Sequence, residues 1–168
     1  MKQFFVSLII LLSTLLPAMP ASGADDMVLS VGVSVNDVPK AFFGCWRIVA
    51  KLDDTNSLHT FKPQSVDMWN LTRVGDTITL TNPFTGASAD ISIKAVEGKL
   101  IVFSKKAPYD NKLLTDTVSL RLDDGKFSGI NTLTLESFSL IDKSLLKTET
   151  ARYLIKGEKI SGESVIEE

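Results

Sequence analysis

From Gly44 onward, apolar residues recur at every second position in short runs, and Gly, Asn, Asp and Pro punctuate the runs. A period of two puts alternate side chains on opposite faces of a strand, whereas a helix facing a core needs a period near 3.6. Gly44 to Leu52 places Trp46, Ile48, Ala50 and Leu52 on one face and Cys45, Arg47, Val49 and Lys51 on the other. The pattern returns in Val66 to Arg73, Thr77 to Thr81, Ala89 to Val96, Lys99 to Lys105, Leu114 to Leu122, Phe127 to Phe138 and Leu145 to Lys156. Ile160-Ser161-Gly162 adds a further short strand. Val74-Gly75-Asp76, Asn82 to Gly86, Glu97-Gly98 and Asp142 to Ser144 read as turns. Asp124-Gly125 is the strongest hairpin signal, because both residues tolerate positive φ. Ala107 to Lys112, which contains Pro108, reads as a longer loop.

Eight or nine strands joined mostly by short turns, with no long helix between them, predict an all-β fold. The expected architecture is an antiparallel up-and-down barrel, whose closure removes exposed edges. A β-sandwich is the alternative, since strand number alone does not decide closure. Ahead of the first strand, Asn36 or Asp37 is placed to cap a short helical turn through Val38 to Phe42, with Pro39 in its first positions.

The N-terminus has the three parts of a secretory signal. Lys2 supplies a positive start. Phe4 to Leu16 is apolar except for Ser7, Ser13 and Thr14, and Ser22-Gly23-Ala24 puts small residues before Asp25. The apolar run is too short for a bilayer span, which needs about 20 residues. The expected organisation is therefore a signal peptide over 1–24, an N-terminal arm over 25–35, the β domain over 36–162 and a tail over 163–168. No transmembrane segment is expected after cleavage. The single cysteine, Cys45, allows no internal disulfide, which points to a periplasmic or secreted protein of bacterial type. A membrane-spanning barrel is disfavoured, because it would carry outward aromatic girdles and this chain has only two Trp and two Tyr. The formal net charge is −2, with no basic run or basic-aromatic stripe, so nucleic acid is not an expected partner.

Phe42-Phe43-Gly44-Cys45-Trp46-Arg47, preceded by a helical turn and opening the first strand, resembles the start of the calycins, the lipocalin and fatty-acid-binding-protein group. The resemblance implies a barrel whose Gly44 allows close backbone approach and whose Trp46 plugs one end. It also implies a cation from near the last strand over that indole, and Arg152 is the expected partner. Thr115-Asp116-Thr117 is a fragment of the family's middle motif. The implied function is binding of a small apolar molecule in the barrel interior, lined by Trp46, Ile48, Leu71, Phe103, Leu120 and Tyr153, together with Ala50 and Ile91. The plainer expectation is that these residues are the core of a filled barrel.

Little in the sequence suggests reaction chemistry. His59 is the only histidine, and one histidine with one cysteine does not make a metal-ligand set. Asp53-Asp54, Asp123-Asp124 and Glu167-Glu168 fall at turns or the tail. No Gly-x-Ser-x-Gly elbow, phosphate loop or Cys-x-x-Cys pair is present. Neither a cofactor nor catalytic residues are expected; the enzyme hypothesis would rest on His59 with a carboxylate in a cleft. Trp69 shares a mixed face with Asp67, Leu71 and Arg73 and is a candidate binding anchor. Phe84 and Tyr109 fall at turns. They support the alternative function, a protein-interaction or cell-envelope accessory module working through its loops. An enclosed cavity of roughly 300 Å3 or more, lined by apolar side chains, separates the ligand-binding reading from a filled core.

Overall fold

The computed structural model describes residues 33–162 and 165–166. The expected signal peptide over 1–24, most of the arm over 25–35 and most of the tail over 163–168 lie outside the described residues. Eight strands carry the fold: β1 (Gly44–Thr55), β2 (Gln64–Val74), β3 (Thr77–Thr81), β4 (Ser88–Glu97), β5 (Leu100–Tyr109), β6 (Lys112–Asp123), β7 (Lys126–Phe138) and β8 (Leu145–Ser161). Each pairs antiparallel with its sequence neighbours, and β1 pairs with both β2 and β8. The sheet therefore closes on itself as an up-and-down ring. A two-residue strand, β9 (Val165–Ile166), runs parallel to the end of β2 at Arg73 and Val74. The ladder between β1 and β2 has already ended there, at Gly44 and Leu71.

Two sequence expectations change. Ala107 to Lys112 is not a long loop: β5 and β6 pair out to Tyr109 and Lys112, and Asp110-Asn111 alone makes the turn, with Asp110 at φ 48°. Pro108 is accommodated because β5 has no β4 partner beyond Ser104, so on that side its missing N–H leaves no ladder bond unmade. Ile160 and Ser161 do not form a separate strand. They continue β8, which is held on both sides, by β1 out to Cys45 and by β7 out to Lys126. Asp124 and Gly125 both take positive φ, as a two-residue hairpin between right-twisted strands requires.

One end of the ring is closed. The chain enters through two single 3-10 turns, Val35–Asp37 and Lys40–Phe42. Neither Asn36 nor Asp37 caps the turn over Lys40–Phe42, which starts at Pro39 with no side-chain cap; both lie in the first turn, where the Ser34 hydroxyl accepts from the Asn36 N–H and the Asp37 carboxylate accepts from the Ser34 N–H. Arg73, at the end of β2, donates to the Gly75 carbonyl at 2.8 Å and to the Asn36 side chain, tying this entry segment to the ring. Phe42 and Phe43 are fully buried beneath the floor, and the Trp46 indole N–H donates to the Phe42 carbonyl at 2.9 Å. Gly44 takes φ +111°, and a Cβ there would sit 2.6 Å from the Ser161 carbonyl oxygen and closer still to that of Gly162. No other residue type fits this crossing of backbones.

Inside the floor, Trp46, Trp69, Phe42, Phe103 and Phe127 form one aromatic cluster of tilted, edge-to-face and stacked pairs with centroid separations of 5.1–6.1 Å. Gly157 leaves the space that the Phe127 ring occupies. Ile48, Leu71, Ile78, Ile101, Val118, Leu120 and Ile155 fill the rest, each at most 2 % exposed. Burial of this order, at about 25 cal/mol per Å2 of apolar surface, is the main term holding a disulfide-free domain together.

Candidate functional site

The six residues expected to line a ligand cavity are all interior: Trp46, Ile48, Leu71, Phe103, Leu120 and Tyr153 are buried in the core cluster. None of them lines the recess found inside the open half of the ring. That space, a recess of about 300 Å3, lies toward the other end of the ring. Its walls are Asp67 from β2, Leu80 and Asn82 from β3 and the turn after it, Ala87 to Ala89 leading into β4, Lys105, Ala107 and Tyr109 from β5, and Leu114 and Asp116 from β6.

The recess exists because the wall is incomplete there. The ladder between β4 and β5 runs only from Glu97–Leu100 to Ser92–Ser104. Beyond it, Ser88 to Ile91 pair with β3 alone and Lys105 to Tyr109 pair with β6 alone. The two strands part toward the open end, and the small side chains Ala87, Ala89 and Ala107 keep the gap clear.

Polar groups gather at its inner end. The Asp67 carboxylate accepts from the Met68 N–H at 2.8 Å, from the Trp69 indole N–H at 3.2 Å and from the Asn82 amide. Asp116, 6 % exposed, faces the Lys105 ammonium at 3.4 Å through Oδ2. Burial pushes the Asp116 carboxyl up from its ordinary value, against the pull of Lys105 and the Asn131 amide, and the Asp67 charge adds to the rise. Among the described residues, only two buried side-chain atoms lack a hydrogen-bond partner, Asp116 Oδ1 and Asn131 Oδ1.

Two expectations are corrected by this geometry. Trp69 is not a partly exposed anchor; it is 4 % exposed, its ring packed against Phe103 and Phe127 across the closed barrel. The cation over Trp46 is Lys159, with Nζ 5.5 Å from the ring centroid and donating to the Ala41 carbonyl at 3.0 Å. Arg152 does not take that place. On β8 the odd positions Ala151, Tyr153 and Ile155 are buried, so Arg152 points outward and pairs with Asp53 at 3.1 Å.

His59 belongs to a second polar cluster, on the loop joining β1 to β2. Glu149, buried at the start of β8, accepts from Ser57 Oγ at 2.5 Å, from Thr60 Oγ1 at 2.8 Å and from Lys147 Nζ at 2.8 Å. These bonds hold its pKa down to about 2. His59 is 77 % exposed and stands 3.6 Å from the same carboxylate. The serine proton is directed at the carboxylate rather than at the imidazole, so the cluster latches the loop to β8. The Tyr153 hydroxyl, donating to the Lys62 carbonyl at 3.0 Å, fixes the other end of the loop. No group of three or more His, Cys, Asp or Glu among the described residues is placed to hold a metal ion. No helix among them is long and apolar enough to cross a membrane.

The outer surface is uneven. Leu58, Phe84, Tyr109, Leu140, Ile141, Leu145 and Leu146 are exposed, and all belong to the connections or strand ends at the open end. At the closed end the turns Gly75-Asp76, Gly98-Lys99 and Asp124-Gly125 carry no large apolar side chain, while Val74 and Ile160 on the strand ends there are exposed. A wider concavity of about 590 Å3 lies on the outer wall, lined by Val49, Lys51, Ile130, Leu154 and Lys156 among others. It is the pleated outer face of β1, β8 and β7, whereas the recess is bounded by five strands. Comparison with protein-family models, with curated proteins and with solved structures finds no match to this chain.

Proposed function

We propose that this chain is an exported barrel that binds a small, largely apolar molecule in the recess at its open end. The observation that carries the reading is the recess of about 300 Å3 at the open end, beside the stretch where the β4–β5 ladder has ended. That volume is at the lower end of small-molecule sites. Leu80, Ala87, Ala89, Ala107, Leu114 and the Tyr109 ring supply apolar walls. The filled floor leaves the apolar ligand to the open half rather than to the residues around Trp46. The 3-10 entry, Gly44, Trp46 and the Lys159 cation support a likeness to calycin barrels at the closed end. Residues 1–24 support export to the periplasm or exterior, with release of a mature protein starting near Asp25. Intact-mass measurement of the protein from a periplasmic fraction tests that point.

The binding test uses the environment-sensitive probe N-phenyl-1-naphthylamine. Its fluorescence is expected to rise with the wild-type protein and to stay flat with Ala107→Phe, which fills the recess from β5. A folded Ala107→Phe protein that binds the probe as well as wild type would remove the recess from the argument. A second reading, docking of another envelope protein on the open-end loops, is favoured by the exposure of Phe84 at 81 % and Ile141 at 96 %.

A further inference from the structure

The outer face of β1, β8 and their flanking strands concentrates positive charge on a chain whose formal net charge is −2. Register fixes which side chains share that face. Arg47, Val49 and Lys51 alternate with the buried Trp46 and Ile48, so they point away from the core. Opposite them on β8 stand Glu158, Lys156 and Leu154, and beyond these on β7 stand Lys126, Ser128 and Ile130. On the other flank β2 adds the uncharged Met68, Val66 and Gln64. Across the four strands the face holds four basic side chains and one carboxylate. That carboxylate, Glu158, is taken by Arg47 at 2.8 Å. Lys51, Lys126 and Lys156 form no ion pair among the described residues. The three follow one diagonal of the sheet, since Lys51 lies opposite Leu154 and Lys126 opposite Glu158, each two residues from Lys156. Diagonal neighbours stand about 7–8 Å apart, where like charges repel, so stability alone does not select this row.

Between the ammonium groups the wall is hollowed. Two adjoining concavities, of about 590 and 340 Å3, share Val49 and Lys156. Val49, Leu154 and Ile130 line the larger one, and Val66 is 65 % exposed beside Val49. The residue types narrow the partner. Protein interfaces are enriched in aromatic residues and depleted in lysine, whereas this face has three unpaired lysines and no aromatic side chain. Single-stranded nucleic acid needs aromatic side chains for its bases to stack on, and none is offered. An anionic headgroup layer needs ammonium groups on long stems at the level of its phosphates, with short aliphatic side chains among them. Four strands about 4.8 Å apart also make the face broader than one small anion.

We propose that this face docks the barrel side-on against a bilayer carrying anionic phospholipid, with Lys51, Lys126 and Lys156 among the phosphates and Val49 and Leu154 against the outer acyl carbons. In the ring order the gap between β4 and β5 lies across from the seam between β1 and β8. The docking surface is therefore separate from the recess and does not depend on it.

The test is co-sedimentation of the purified protein with phosphatidylcholine vesicles, alone or with about 40 % phosphatidylglycerol, in about 0.1 M and about 0.5 M salt. Binding is expected only to the anionic vesicles, and about tenfold weaker or more at the higher salt, where screening shortens. Lys51→Gln with Lys156→Gln is expected to weaken binding by about tenfold or more. Lys94→Gln with Lys106→Gln removes the same charge from β4 and β5 across the ring, and is expected to change binding by less than about threefold. All four lysines are exposed, so neither double variant disturbs the core. Equal binding to neutral vesicles, no binding to anionic ones, or equal losses in the two double variants would overturn the proposal. So would tighter binding of poly-L-glutamate than of the anionic vesicles, which would make the partner an acidic protein.

Discussion

Replacing Gly44 by alanine perturbs the barrel at a place where two backbones nearly touch, and Gly98→Ala supplies the control that isolates why. Both glycines have positive φ, +111° at Gly44 and +59° at Gly98, but a Cβ at Gly98 meets nothing within 4 Å. Gly98→Ala therefore carries only the conformational term, about 1–2 kcal/mol for an L-residue in the left-handed region. Gly44→Ala carries more than that, because φ +111° lies outside the left-handed well. It also drives the new methyl into the carbonyl oxygens of Ser161 and Gly162. Those oxygens are backbone at the end of β8, and moving them opens the seam between β1 and β8 and disturbs the contact between Trp46 and Lys159. The expected cost is about 4 kcal/mol or more, in the range reserved for specific structural failures. At roughly 3–4 °C per kcal/mol for a domain of this length, Gly98→Ala should melt about 3–8 °C below wild type and Gly44→Ala about 12 °C or more below. Thermal melts followed by near-ultraviolet circular dichroism, with urea titrations to check that the slope is unchanged, read both. Two variants melting at the same temperature would show that the close approach contributes nothing and that the Gly-x-Trp start is ordinary turn chemistry.

Gly157→Ala should destabilise by about 1–3 kcal/mol through overpacking, because its Cβ would press into the Phe127 ring, 2.6 Å from Cδ1 and nearer to other ring atoms. Adding Phe127→Leu should recover part of the loss in a double-mutant cycle, and additive costs would refute the steric explanation. The Glu149 latch sets a pH response. Its pKa is held from 4.5 down to about 2 by Lys147, Ser57 and Thr60, so its stabilisation is present above about pH 4.5 and is lost as the pH falls toward 2. Melting curves of wild type and Glu149→Gln should therefore differ at pH 6 and converge near pH 2. Asp142, held down to about 2 by Ser139 and Ser144, is common to both proteins and drops out of the comparison.

The ring was legible because its information is local. Alternation along β1, β6 and β8 marks the inward face, and Asp124-Gly125 states its own turn. The features that were misread depend on register or on parity carried through to the end of a strand. Arg152 looked suitable beside Trp46 by its late position, although the apolar neighbours Ala151 and Tyr153 already assign it outward. Lys159 reaches the indole because the unbroken register running from Leu52 opposite Tyr153 sets Lys159 opposite Trp46. Trp69 looked half-exposed because Asp67 shares its face, yet closure of the ring brings Phe103 and Phe127 against it. The recess was the least legible. Asp67 and Asp116 stand on strands four places apart in the ring, and no spacing in the chain announces that they share a cavity. The available signal was that Asp116 falls in phase with Val118, Leu120 and Leu122, a carboxylate on an otherwise apolar face.

The distribution of order along the barrel argues that the two ends serve different purposes. At the closed end, aromatic packing, the Arg73 and Lys159 ties and the glycine crossing all enforce one arrangement. At the open end the chain departs from what stability alone would select. Two strands that pair elsewhere part company, small side chains hold the gap open, and a carboxylate is buried with one oxygen unmet. A leucine at Asp116 and larger residues at Ala89 and Ala107 would close the space with gain in apolar burial, since a buried ion pair is commonly no better than well-packed hydrophobic residues. Such departures from local consistency concentrate where a protein binds something. The same end also carries the exposed Phe84, Tyr109, Leu140 and Ile141, so exposed apolar side chains and the recess lie at one end of the barrel.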